Sequence, residues 1–287
     1  MRTRITRTIL AVAAASATAT TLGFAAAGAA SASTQVNMPS GGAPIYTSTN
    51  CTNAVCALSG YQASGRDFRY AQAVIRVPTG TGSVTTSPSF YVGLNDGVVT
   101  SSNVPQQGAW AGIEPCATGP GCSNGWEGFY EVQQAGTPTV NVTVPFFGVT
   151  AGDGVFFSIY FNSVGNADRF VVTLPDGATA GQTVAVNGPV YTSAEAVVDW
   201  AGLTLPAPAV PGANTRVTQF LQGRFTTLSG SAGTFRGPWS LNPLEATTNG
   251  FAPPHGTLVT APAFLWTDGN SYKGLSGDAF GDWVYSP

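Results

Sequence analysis

Histidine is almost absent from this sequence, and its scarcity narrows the possible chemistry. The single histidine, His255, lies in the turn-like stretch Pro253–Gly256. A Ser-His-Asp triad would have to use it, and the chain contains no G-x-S-x-G turn around a candidate serine. One histidine also excludes a histidine-rich zinc site, and cysteines oxidised to disulfides cannot replace the missing ligands. We therefore predict a protein that needs no metal.

Charged residues are also few, at 9% of the chain, and acidic residues outnumber basic ones by 14 to 11. Nucleic-acid binding depends on clustered lysine and arginine, so this composition argues against a nucleic-acid partner. Three of the basic residues, Arg2, Arg4 and Arg7, lie at the N-terminus. Without them the remainder carries 8 basic and 14 acidic residues, a net charge of −6.

Long apolar runs are missing except near the N-terminus. There, the three arginines precede an Ala/Leu/Thr-rich run that ends in the A-x-A sequence Ala30–Ala32, which is typical of a secretory signal. The run is too short for a membrane-spanning helix, and no later segment approaches that length. We therefore predict a signal peptide at 1–32, an extended segment at 33–57, and an exported, extracellular domain at 58–287.

Cysteine is limited to four residues. In an exported chain an even number of cysteines indicates disulfides rather than redox chemistry. Three pairings are possible, and proximity favours Cys51–Cys56 and Cys116–Cys122. Each short loop would contribute roughly 2 kcal/mol by the chain-entropy estimate.

Glycine, proline, serine and threonine are abundant, and no segment after the signal has a sustained 3.6-residue apolar period. Short runs rich in Val, Ile, Phe and Tyr alternate instead with Asp-Gly turns, which indicates an all-β sandwich or barrel. The Pro/Ala-rich stretch Leu205–Gly212 is interpreted as a loop within one domain. The predicted strands include Ala71–Val77, Ser89–Leu94, Thr139–Val144, Val155–Phe161, Phe170–Leu174 and Phe264–Thr267.

The stretch Ser193–Trp200 carries the strongest candidate site. As a strand it places Ala194, Ala196, Val198 and Trp200 on a core-like face, and Glu195, Val197 and Asp199 on a face toward a groove or solvent. A mid-strand glutamate between small residues is a candidate catalytic carboxylate. The alternative is a solvated outer face.

Paired-carboxylate glycosidase chemistry needs two groups about 5–9.5 Å apart. Glu195 and Asp199 lie roughly 13 Å apart along one strand, so they cannot form the pair. Glu127 and Glu131 are also four residues apart, so the same distance excludes them as the pair if their segment is a strand. A cross-strand pair of Glu131 with Glu195 stays open.

Several segments, taken in order over roughly residues 58–287, resemble the eqolisin family of glutamic peptidases. Ser89–Asn95 is similar to the family's W-V-G-I-D strand, and Pro105–Gly108 to L-Q-x-G, which carries the catalytic glutamine. Phe129–Glu131 is similar to W-Y-E. The stretch Ala194–Trp200 is similar to A-E-W-I-V-E, in which the first glutamate is catalytic.

This resemblance implies a lectin-like, concanavalin A-type sandwich of two antiparallel sheets, and an acid-acting endopeptidase without a cofactor. It implies Glu195 as general base and acid, and Gln106 as the amide that orients water and stabilises the oxyanion. Gln107 takes that role if the alignment shifts by one residue. The remaining implied site residues, which contact substrate or support the dyad, are Tyr91 and Asn95 (in place of a tryptophan and an aspartate), Phe129 and Glu131.

Glu131 is expected on the strand next to Glu195, where it would raise the pKa of Glu195. Trp126 lies beside Cys122, and we predict that it is exposed in a loop and contacts substrate. We expect a monomer with a polypeptide substrate. Two alternatives stay open: a non-catalytic lectin-like module that binds carbohydrate or protein through exposed aromatic residues, and a glycoside hydrolase.

Overall fold

The computed structural model describes residues 58–84, 87–97, 107–199, 214–235, 237–244, 259–264 and 279–285. Every regular element in these ranges is a β-strand, as the abundance of β-branched and aromatic residues predicts. The strands, in chain order, are β1 (Leu58–Ser64), β2 (Phe68–Arg76), β3 (Ser89–Asn95), β4 (Gly108–Pro115), β5 (Trp126–Gln133), β6 (Val140–Val144), β7 (Gly154–Asn162), β8 (Ala167–Thr173), β9 (Thr179–Ala185), β10 (Ser193–Asp199), β11 (Asn214–Thr227), β12 (Ala232–Gly233), β13 (Ser240–Leu244), β14 (Val259–Phe264) and β15 (Phe280–Tyr285).

The strands form two antiparallel sheets, which confirms the predicted fold class. The first sheet has seven strands in the order β13-β1-β10-β3-β4-β5-β6. The second has eight strands, seven of them in the order β14-β15-β11-β2-β7-β8-β9, with β12 paired to β11. Within the described ranges there is no helix long and apolar enough to cross a membrane.

Five of the six predicted strand segments fall on β2, β3, β6, β7 and β8. The sixth, Phe264–Thr267, overlaps β14 only at Phe264, and the rest of it lies outside the described residues. The other predictions that concern residues outside these ranges are the signal peptide and N-terminal segment, Cys51, Cys56, Gln106, Trp200, the Leu205–Gly212 loop and His255.

The core lies between the two sheets, and almost all of its largest fully buried side chains are aromatic. Phe90 of the first sheet, and Phe157 and Phe225 of the second, have no exposed surface. The core face of β10 carries Ala194, Ala196 and Val198, as the alternation predicts. Small side chains on this central strand leave room for the rings of the opposite sheet, so the packing fixes which face of β10 turns inward.

The prediction that Trp126 is exposed in a loop is wrong. Trp126 is the first residue of β5 and is only 2% exposed. Its ring centroid lies 5.4 Å from that of Phe90, and its Nε1 donates a hydrogen bond to the Gly80 carbonyl at 2.9 Å. The predicted Cys116–Cys122 disulfide is present, but the chain after it turns directly into the core.

A buried carboxyl group lies on the core side of the second sheet. Asp168 of β8 has no exposed surface, and its Oδ2 accepts a hydrogen bond from the Tyr191 hydroxyl at 2.6 Å. Its Oδ1 is buried without a hydrogen-bond partner. Burial raises the pKa of Asp168 to about 7, against the opposing effect of the Tyr191 hydrogen bond.

Because the pKa of Asp168 is raised in the folded protein, we expect the fold to be most stable at acidic pH. Its pKa is higher in the folded than in the unfolded chain, so the folded chain binds more protons between pH 3.8 and about 7 and loses stability as the pH rises through that window. The loss is on the order of 4 kcal/mol at 1.36 kcal/mol per pKa unit. Asp168→Asn should remove the contribution of Asp168 and so make the pH dependence shallower, while Glu195, whose pKa is also raised to about 7, keeps the remainder, as measured by urea unfolding at pH 4, 5.5 and 7.5.

Asp176→Asn is the matched control, because Asp176 lies in an exposed turn, where its Oδ1 accepts a hydrogen bond that an asparagine oxygen can also accept. The control should keep the pH slope of the wild type. An equal slope in the Asp168 variant and the wild type would show that Asp168 does not titrate in this range.

Candidate active site

The candidate site is a row of residues that crosses the first sheet on its outer face. Glu195 of β10 lies opposite Gln62 of β1 on one side and Gly93 of β3 on the other. Gly93 in turn lies opposite Trp110 of β4, and Trp110 lies opposite Glu131 of β5. Directly opposed residues share a face, so the pairing brings together side chains that are far apart in sequence.

The Glu195 carboxyl group is held by two neutral donors. The Gln62 amide donates through Nε2 to Oε2 at 3.1 Å, and the Trp110 indole donates through Nε1 to Oε1 at 2.7 Å. Gln62 has no exposed surface and Glu195 is only 2% exposed. The alternative, a solvated outer face, is therefore wrong at Glu195.

Two glycines give the Trp110 indole its position. A Cβ atom on Gly93 would lie 2.4 Å from Trp110 Cδ1, and one on Gly108 would lie 2.2 Å from Cη2. The ring therefore rests on bare backbone and reaches across β3 to Glu195. Trp110 is partly exposed, whereas Glu195 is only 2% exposed.

Burial raises the pKa of Glu195 to about 7. Interactions with Trp110, Asn95 and Gln62 oppose this rise, and the charge of Asp199 adds to it. Asn95 shares this face of the sheet and is fully buried, yet its Nδ2 does not reach hydrogen-bond geometry with any partner. Its amide nevertheless lies close enough to the Glu195 carboxylate to lower the pKa of that group.

An apolar cluster, separate from the core, lies next to Glu195 on the same face. It consists of Tyr91, Phe129 and Val197, with Leu58 and Trp110 packed against it. The ring centroids of Tyr91 and Phe129 are 6.2 Å apart in an edge-to-face arrangement. Of these two predicted site residues, Tyr91 lies on β3 next to the strand of Glu195, whereas Phe129 lies on β5 and reaches the cluster through Tyr91. At 8% and 6% exposure both are largely covered.

The prediction that Glu131 lies on the strand next to Glu195 is also wrong. Glu131 lies on β5, and β3 and β4 lie between it and Glu195. Three inter-strand steps separate their backbones by about 14 Å. Glu131 accepts a hydrogen bond from Asn141 at 3.3 Å, and it is not among the causes of the raised pKa of Glu195. This distance also leaves a Glu131–Glu195 glycosidase pair without geometric support.

Gln107 is described, and its backbone carbonyl accepts a hydrogen bond from the Asp96 amide at 3.1 Å. It directly precedes Gly108, so it is out of phase with the residues of β4 that share the Glu195 face. This phase does not support the one-residue shift that would give Gln107 the catalytic role.

Sequence reasoning missed Gln62 and assigned Trp110 no contact. Neither is marked by a motif, since Gln62 and Glu195 are 133 residues apart. The available signal was local: a glutamine between apolar neighbours, and a tryptophan two residues after one glycine and two before another.

Gly93→Ala tests the packing of the indole. The added methyl group should displace Trp110, remove its hydrogen bond to Oε1 and admit water to Glu195. Since burial is the largest cause of the raised pKa, the pKa of Glu195 should fall, as followed by carbon NMR of its carboxyl group. Overpacking should also lower the free energy of unfolding by about 2 kcal/mol.

Gly80→Ala is the control, because no atom lies within 4 Å of a Cβ at that position. It should leave both the pKa and the stability close to those of the wild type. A Gly93→Ala protein with an unchanged indole signal and an unchanged Glu195 titration would contradict the proposed packing.

No protein-family model and no curated protein matches the chain. Among solved structures, scytalido-glutamic peptidase with a transition state analog inhibitor matches at a TM-score of 0.54 and 13% identity, covering 81% of this chain and 98% of that one. The same peptidase with a peptide-based transition state analog matches over the same shares at a TM-score of 0.51 and 14% identity. At this identity the likeness shows that the chain shares the fold of scytalido-glutamic peptidase.

Proposed function

We propose that this protein is a glutamic-type endopeptidase in which Glu195 is the general base and acid. The observation that carries the proposal is the buried Glu195 carboxyl group, which neutral amide and indole donors hold on one face of the sheet. A carboxyl group in such surroundings can take a proton from water and later return it. The resemblance of the segments that surround it to those of the glutamic peptidases, and the shared fold, support the same reaction.

The reaction needs one water molecule and no cofactor. Glu195 accepts a proton as the water oxygen bonds to the scissile carbonyl carbon, and the electrons of the C=O double bond move onto the carbonyl oxygen. When the tetrahedral intermediate collapses, the C–N bond breaks and Glu195 returns the proton to the leaving nitrogen. Gln106 is proposed to donate a hydrogen bond to the developing oxyanion, which is worth about 3–4 kcal/mol in comparable sites.

Two amides then have different tasks. Gln62 contacts the Glu195 carboxylate directly, so it fixes the orientation of the base and lowers its pKa. Gln106, outside the described residues, acts on the substrate in this proposal. Because the Trp110 indole bonds Oε1, Trp110 is proposed to turn away from Glu195 when water and substrate bind.

The pKa of about 7 changes the expected working range. The first step needs ionised Glu195, so kcat/KM of the free enzyme should rise as the pH increases through about 7. The sequence-based expectation is an acidic optimum. The burial of the carboxyl group instead favours a rise of kcat/KM closer to neutral pH.

The lectin-like alternative has less support. It relies on exposed aromatic residues, whereas Tyr91, Phe129 and Trp126 are each less than 9% exposed. Large apolar residues that are exposed within the described ranges, such as Phe147 and Val164, do not belong to the cluster beside Glu195.

Glu195→Gln is the direct test. Its side chain cannot accept and return the proton, so kcat on an unfolded protein substrate should fall by about 100- to 10,000-fold. Wild-type kcat/KM should show one limb with an apparent pKa near 7. Asp176→Asn again provides a carboxylate-to-amide control and should keep wild-type rates. A Glu195→Gln protein that cleaves at the wild-type rate would exclude this mechanism.

Gln62→Ala and Gln106→Ala separate the two amides. Loss of Gln62 removes an interaction that lowers the pKa of Glu195, so the limb of kcat/KM should move to higher pH. Loss of Gln106 should lower kcat by about 100- to 1,000-fold and leave the limb in place. Gln219→Ala on β11 in the other sheet is the matched control. Full activity of Gln106→Ala at all pH values would remove Gln106 from the mechanism.

A further inference from the structure

The outer face of the second sheet carries arginine and tyrosine side chains that the proposed reaction does not use. Tyr70 of β2 lies opposite Tyr160 of β7, and Tyr160 lies opposite Arg169 of β8. Arg224 of β11 lies opposite Gln72, the next residue after Tyr70 on this face of β2. Burial raises the pKa of Tyr70, and the nearby charge of Arg224 opposes that rise. We call these residues, together with Arg69, the arginine–tyrosine cluster.

A bulge in β11 places Arg224 on this face. Between Leu221 and Arg224 the register with β2 shifts, because β11 contains one extra residue there. Gln222, inside the bulge, has a left-handed backbone with a φ of 53°, and its carbonyl accepts a hydrogen bond from Gln72 Nε2 at 3.0 Å. One extra residue reverses the faces of the residues that follow. Arg224 is therefore exposed, and Phe225 is buried in the core.

A second irregularity brings Arg69 to the cluster. The register of β11 with β2 shifts again between Thr226 and Thr227, and here β2 carries the extra residue, Arg69. Its Cζ lies 6.0 Å from the centroid of the Tyr160 ring, within the range of a cation–π interaction. The Tyr160 side chain is 39% exposed. Two interruptions of one strand pair thus direct arginines toward the same tyrosines, as bulges near binding sites do.

No acidic neighbour neutralises this cluster. Within β2, β7, β8 and β11 the one acidic residue is Asp168, which is buried in the core. Arg169 and Arg224 are exposed, and neither has a carboxylate partner within the described ranges. The strands of the first sheet carry acidic residues but no arginine or lysine. The two outer faces of the sandwich therefore differ in charge, although the chain as a whole is acidic.

The spacing of the cluster limits what it can bind. Three inter-strand steps separate the backbones of Arg224 and Arg169 by about 14 Å, which is too far for one small anion to contact both. Guanidinium groups bind carboxylates through paired hydrogen bonds. Between the two arginines, the exposed ring of Tyr160 offers an apolar surface. A chain of sugar rings that carries carboxylates at intervals meets both demands.

An anionic membrane fits this face less well. Interfacial binding depends on apolar side chains that enter the lipid as well as on charge. The apolar residues of this face, Val74, Phe156 and Val171, are only partly exposed. The surface therefore favours a ligand that lies along the sheet over one that the protein must penetrate.

We propose that the arginine–tyrosine cluster binds an acidic polysaccharide. Arg169 and Arg224 bond carboxylates on separate sugar residues, and Tyr160 packs against a sugar ring between them. This binding function does not depend on the proposed peptidase activity. The cluster lies on the opposite outer face from Glu195, so a bound polysaccharide leaves the candidate active site open.

The experiment titrates the full chain with oligogalacturonates long enough to span both arginines, using isothermal titration calorimetry at two salt concentrations. Wild-type binding should saturate and weaken as salt rises. Arg169→Gln and Arg224→Gln should each weaken binding about 3- to 10-fold, and the double variant about 10- to 100-fold. Tyr160→Ala should weaken binding about 2- to 10-fold and leave the salt dependence nearly unchanged.

Arg76→Gln is the matched control. It removes the same charge from β2, six residues or about 20 Å along the strand from Tyr70. This distance exceeds the Debye length of about 10 Å at 0.1 M salt, so affinity should stay at the wild-type value. Glu195→Gln should also bind like the wild type. Circular dichroism and urea unfolding establish that each variant is folded.

Three results would overturn the inference: no binding of oligogalacturonate by the wild type, equal binding of uncharged dextran, or a folded double variant that binds within twofold of the wild type. Tighter binding to phosphatidylglycerol vesicles or to single-stranded DNA, lost in the double variant, would assign the face to that partner instead and also overturn it. A protein that binds oligogalacturonate through these residues but cleaves no peptide would uphold the inference and remove the proposed peptidase function.

Discussion

The hydrogen bonds that hold the buried Glu195 carboxyl group are the constraint on which the rest of the site depends. A carboxylate without partners in this position would cost several kcal/mol, and each hydrogen bond to a charged group returns about 1.5–3 kcal/mol. Gln62 and Trp110 supply these bonds from β1 and β4. For both to reach Glu195, β10 must lie between β1 and β3, and Gly93 must leave the intervening strand bare.

The two faces of β10 show what sequence can and cannot predict. Alternation identified Ala194, Ala196 and Val198 as core, because the sheet has a period of two whatever its partners are. The strand segments and the Cys116–Cys122 bond follow from equally local patterns. The partners of Glu195 depend on strand order, which local patterns do not encode. The prediction that Trp126 is exposed failed for the same reason, since its burial depends on a core assembled from distant strands.

Distance within the first sheet separates the candidate functions. Carboxylates do occur on the outer face, but the neighbours of Glu195 in its row are an amide and a glycine, and Glu131 is three strands away. A single carboxyl group surrounded by neutral donors suits proton transfer to and from water, whereas glycosidase chemistry needs two carboxyl groups close together. The same arrangement explains why burial, rather than a second carboxylate, is the main cause of the raised pKa.

The strand order also has a consequence for how the protein is made. β10 enters the middle of the first sheet between β1 and β3, although it begins at Ser193, far along the chain from the end of β1 at Ser64 and from the end of β3 at Asn95. During synthesis the first half of the chain therefore leaves a gap in that sheet until residue 199 has emerged from the ribosome. Glu195 meets Gln62 and Trp110 only when this gap closes. Such long-range closure is slow, and a nascent or truncated chain that lacks β10 would lack the hydrogen bonds that hold Glu195.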